Sequence, residues 1–113
     1  MIHHPPLPGL ANRRKALTDA MGLKQVLEDH GCDLVVHGHN HITMRNTLAS
    51  RHGPVHILGM PAATSNGARS TEPAAWNEYY IRRTSGRWQC TVNTRCWDTE
   101  KCSFVPQTSY SLD

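Results

Sequence analysis

Five of the eight histidines of this chain stand in two short clusters. One is His3-His4, followed by Pro5-Pro6; the other is His37-Gly38-His39-Asn40-His41, which follows the apolar run Leu34-Val35-Val36. Neutral imidazole is the commonest protein ligand for transition metals, so histidines gathered at strand ends point first to a metal site. If the second cluster is extended, His39 and His41 project to one side and serve one metal pair. Gly38 stands where the strand must turn sharply, a place where the absence of a Cβ helps. The first cluster closes a short strand, Ile2 to His4, stopped by Pro5, Pro6 and Pro8. The carboxyl ends of parallel strands share one edge of an α/β sheet, so His3 or His4 can converge there on His39 and His41. His37, one residue before the turn, is placed as a group that supports the ligands or touches substrate. His30, His52 and His56 stand alone and read as ordinary polar residues.

These side chains need elements to carry them. Leu17, Ala20, Met21, Leu23, Val26 and Leu27 recur at helical spacing and predict a helix from Arg14 to His30, capped by Gly31. Cys32 to Val36 then reads as a short buried strand, and helix, glycine and strand together form half of an α/β unit. Beyond His41 the pattern turns to β structure. Ile42 to Ala49 and Val55 to Gly59 read as strands around the turn Arg51-His52-Gly53-Pro54. Residues 64–73 are a loop by composition. Asn77 to Arg83 and Trp88 to Trp97 form a hairpin through Thr84-Ser85-Gly86-Arg87, packed by Trp76, Trp88 and Trp97. From Lys101 onward the reading is one short strand around Phe104-Val105 and a polar tail.

A length of 113 residues fits one small domain, and 38% hydrophobic with 19% charged residues excludes a disordered polyelectrolyte. No apolar run approaches the roughly 20 residues of a spanning helix, and Met1-Ile2-His3-His4-Pro5 has no secretory pattern. A cytoplasmic location without membrane contact is therefore expected. Cys32, Cys90, Cys96 and Cys102 form no Cys-x-x-Cys pair and are expected as reduced thiols. The net charge of +3, with clusters at Arg13-Arg14-Lys15 and Arg82-Arg83, suits a small anionic ligand such as a phosphate rather than a nucleic-acid polymer.

The His-His-Pro-Pro cluster after a strand, the helix, and the apolar strand ending in Gly-His-Asn-His together resemble the C-terminal half of calcineurin-like metallophosphoesterases. The likeness is to the branch of bacterial cyclic-nucleotide and glycerophosphodiester phosphodiesterases, and it covers about residues 1–60. It implies an α/β fold, the C-terminal part of an α/β/β/α sandwich, with one clear helix followed by mostly β structure. It implies two divalent metals (Mn, Fe or Zn), with His3 or else His4 and His39 on one metal and His41 on the other. The reaction implied is attack of a metal-bound hydroxide on a small phosphodiester or phosphomonoester, with His37, Asn66 and Arg69 in reach of the substrate. The family's Asp-x-His, Gly-Asp and Gly-Asn-His motifs are not in this chain, and no carboxylate is placed to bridge two cations. The expectation is thus a partial domain over 1–113, divided into 1–60 with the metal motifs and 61–113 with the loop and hairpin. The alternative is a non-catalytic metal-binding remnant, or a subunit completed by a partner chain. Self-association through exposed sheet edges is expected of either.

Overall fold

A computed structural model describes residues 1–67 and 72–112 and divides the chain into two compact units, Met1–Pro61 and Ala62–Asp113. Among the described residues it is a mixed α/β arrangement with one helix and two three-stranded sheets. Among the described residues, no helix is long and apolar enough to cross a membrane.

The first unit holds α1 (Ala20–His30), β1 (Leu34–His37), β2 (Met44–Ser50) and β3 (Gly53–Gly59). Its sheet runs β1-β3-β2, with β1 parallel and β2 antiparallel to β3. Side chains on a strand alternate between faces, so Val35, Val55, Ile57 and Leu48 share one face. They are buried there against Leu27 of the helix, with Leu23, Ile2 and Leu7 at the margin. The helix is closed by Gly31, whose φ of 71° is costly for a side chain and whose N–H donates to Leu27 at 2.9 Å. Arg51 ties the helix to the β2–β3 turn, through a 3.0 Å ion pair with Asp29 and a backbone bond to the Glu28 carbonyl.

The helix begins six residues later than its spacing predicts. Asn12 explains the difference: its side chain accepts the Arg14 N–H and its carbonyl the Lys15 N–H, a turn that occupies these donors before Ala20. The expected strand at Ile2 to His4 is also corrected. Ile2 donates to the Val36 carbonyl and Gly38 to that of His3, so this segment runs along β1. A regular parallel ladder would have Gly38 donate to Ile2 instead, and the one-residue slip leaves no strand.

The second unit is a meander of β4 (Ala75–Thr84), β5 (Arg87–Asp98) and β6 (Ser103–Leu112), each antiparallel to the next. Ser85 and Gly86, both at positive φ, make the two-residue turn whose twist suits a hairpin. Ala75, Val92, Thr94 and Leu112 are buried on one face. The expected polar tail after Val105 is strand through Leu112. Pro106 does not end it, because it lies on an edge strand beside the irregularity at Thr94/Arg95, where a missing N–H breaks no ladder.

Candidate metal centre

Two backbone bonds bring the histidine clusters together. With Ile2 held to Val36 and His3 to Gly38, the rings of His3 and His4 arrive beside the loop that leaves β1. Ring centroids lie 4.9 Å apart for His3 and His4, 5.1 Å for His3 and His39, and 4.4 Å for His4 and His39. One nitrogen from each imidazole lies within 4.8 Å of the other two. His39 Nδ1 and His3 Nε2 approach to 3.2 Å. A tetrahedral ion with bonds of about 2.0–2.1 Å sets its ligand nitrogens roughly 3.3–3.4 Å apart, so that pair already has the spacing of one coordination edge.

The electrostatics favour a neutral, ligating imidazole at His39. Burial lowers the His39 pKa from the ordinary 6.5, and His4, His3, Lys15 and His41 lower it further. His39 Nε2 is enclosed and has no hydrogen-bond partner, although the ring as a whole is only partly covered. The His39 nitrogen that faces His3 is Nδ1, so a cation shared with His3 would take that lone pair and leave Nε2 to carry the ring proton. Three neutral imidazoles suit Zn²⁺ and neighbouring transition ions better than hard cations that seek oxygen.

The backbone route differs from the one the spacing predicts. His39 and His41 have φ of 67° and 56°, so the segment is not extended and the i, i+2 argument for a shared side does not apply. The sharp turn falls on these histidines rather than on Gly38, around which a Cβ would meet nothing within 4 Å. Left-handed backbone at a non-glycine residue costs about 1–2 kcal/mol, and histidine is among the residues that tolerate it. The strain is held by Asn40, whose side-chain amide donates to the Leu10 carbonyl at 2.6 Å and to Met44 sulfur at 3.1 Å. Asn40 is the positioning residue that sequence reasoning missed. Its partner lies thirty positions away, and no local pattern signals such a contact.

Other expected site residues lie elsewhere. His41 is exposed and does not join the three ring nitrogens. His37 is 5% exposed and faces the core, where Gly59 makes room for it: a Cβ there would lie 2.5 Å from His37 Cε1. Its Nδ1 lies 3.2 Å from the Gly38 carbonyl, which makes Nδ1 the donor and leaves the buried Nε2 without a partner. Asn66 belongs to the second unit and forms a β-bridge with Pro73. Arg69 lies outside the described residues. The four cysteines carry free thiols.

The histidines make the metal-free protein sensitive to acid. Burial lowers the pKa of His37 below 6.5, partly offset by the bond to Gly38, and His39 is lowered as well. Both groups therefore bind protons more readily when unfolded, so stability is full above about pH 6.5 and declines as pH falls below it through the lowered folded values. With EDTA present, the urea midpoint of the helix signal should drop between about pH 7.5 and about pH 5.5. A flat or rising midpoint would contradict the assignment.

Comparison with family models, curated proteins and solved structures finds no match to this chain.

Proposed function

We propose that His3, His4 and His39 bind one divalent transition metal, and that the chain is the histidine-bearing part of a metal-dependent phosphoesterase acting on small phosphodiesters or phosphomonoesters. The supporting observation is the convergence of three ring nitrogens within 4.8 Å, from segments 35 or 36 positions apart. A divalent cation there would lower the pKa of a bound water and polarise a phosphoryl oxygen. The chain's own part is to hold three neutral donors in place. His4 and His3 come in along β1, His39 is fixed by the turn that Asn40 anchors, and Lys15 adds positive charge that favours an anionic substrate.

The donor set also supports the second reading, a metal-binding module without turnover. Among the described residues no carboxylate joins the three imidazoles, and two cations held close together need shared anionic ligands. The dinuclear centre that the resemblance implies would thus draw on donors beyond these three. Loading the full chain with Mn²⁺ or Zn²⁺ and supplying a chromogenic phosphodiester separates the readings. Metal-dependent turnover that disappears in His39→Ala supports the enzyme. Stoichiometric uptake with no turnover supports the module, and no uptake at all removes both.

A further inference from the structure

The sheet of the second unit has one buried face, and the composition of the other is unlike a simple solvated surface. Register places Trp76, Tyr80 and Arg82 of β4 on this outer face with Gln89, Asn93 and Arg95 of β5. Contacts confirm it: the Arg95 guanidinium lies 5.8 Å over the Trp76 ring, Arg82 donates to Gln89 at 3.3 Å, and Ser109 donates to Asn93 at 2.7 Å. Trp76 and Tyr80 are 37% and 56% exposed, which is high for rings on a strand face. Trp76 is braced edge-on by Phe104, itself braced by Trp97. Charge on this face is one-sided. Arg82, Arg87 and Arg95 lie on it, whereas Glu78 is its single carboxylate among the described strand residues and accepts a bond from the Tyr80 hydroxyl. An open cleft of about 430 Å³ borders this face on the β5–β6 side, lined by Glu78, Asn93, Arg95 and Ser109 among others.

We infer that this face binds single-stranded nucleic acid. The chemistry is that of a stacking platform: unpaired bases lie on Trp76, Tyr80 and the Arg95 guanidinium plane, while Arg82 and Arg87 neutralise phosphates. A duplex hides its base faces and gains only the phosphate contacts. A neutral glycan would use the rings but would leave three guanidinium groups without counter-charge. A net charge of +3 gives no hint of this, because the segregation of charge depends on which residues share a face.

The test is fluorescence anisotropy of the full chain with a labelled oligothymidylate of roughly 12 nucleotides at about 50 mM salt, with EDTA present so that the histidine centre plays no part. Tyr80→Ala should weaken binding about tenfold, as expected for the loss of one stacked base. With two phosphates neutralised, the slope of log K against log salt should be about −1.4, and Arg82→Gln should flatten it by about 0.7. Arg83→Gln removes the same charge from the opposite face, where Arg83 lies 5.6 Å from the Trp88 ring, and should leave affinity within about twofold. Both Tyr80 and Arg82 are exposed, so these variants should fold. The inference is overturned by no binding at low salt, by equal binding of duplex, by equal losses in the Arg82 and Arg83 variants, or by a neutral oligosaccharide that binds where the oligonucleotide does not compete. None of these outcomes bears on metal uptake by the first unit.

Discussion

His39→Ala should lower Zn²⁺ affinity by at least about 100-fold, because it removes one of three ligands where loss of an outer-shell partner alone costs about 10- to 100-fold. His3→Ala and His4→Ala should act comparably, since each supplies one of the three converging nitrogens. His41→Ala should have a small effect, because its exposed ring reaches the centre only through charge. Asn40→Ala should fall between them, near about tenfold, by releasing the backbone turn that presents His39. Competition against a chromophoric chelator above pH 7 gives all five numbers, and Co²⁺ substitution reports the coordination geometry. The ranking separates two ligand sets that share His39. If His41→Ala costs more than His4→Ala, the set implied by the family resemblance is right and the three-ring cluster is not the binding unit.

The part of the site that was legible in the sequence is the part that depends on local order. A helix capped by Gly31, a short apolar strand and a histidine loop follow from side-chain periodicity and a glycine stop. The hairpin was legible for the same reason, since Ser85-Gly86 can take the two positive φ values its turn requires. What escaped depends on contacts distant in sequence. Asn12 shortens the helix through a turn that competes with it, and Asn40 fixes His39 by reaching Leu10. Backbone handedness at His39 and His41 escaped for another reason. Spacing identifies a shared side only if the segment is extended, and here it is not. The outer face of the second sheet shows the same limit, because Arg82 and Arg83 are adjacent in sequence yet lie on opposite faces.

Ile57→Ala should destabilise the first unit and, with it, weaken metal binding at a distance. Ile57 is fully buried in β3, the central strand, packed with Leu27, Val35, Leu48 and Val55. Truncating such a side chain costs about 2–5 kcal/mol, while stability of about 0.05–0.15 kcal/mol per residue gives a unit of this size about 3–9 kcal/mol in all. Strand β1 pairs with β3 at Val35–Ile57, and the His3 segment is held in turn by β1, so loosening β3 scatters all three imidazoles. Apparent affinity then falls in proportion to the folded fraction. Two spectroscopic signals separate the units, because every Trp, Tyr and Phe lies after residue 75 whereas α1 lies in the first unit. The helix signal of Ile57→Ala should melt at much lower urea while tryptophan fluorescence keeps its midpoint. Zn²⁺ at a hundred times its dissociation constant should restore about 2.7 kcal/mol to the helix transition alone. Shifts that coincide in both signals would mean that the units unfold together, and no rescue by Zn²⁺ would mean that the three histidines do not bind it.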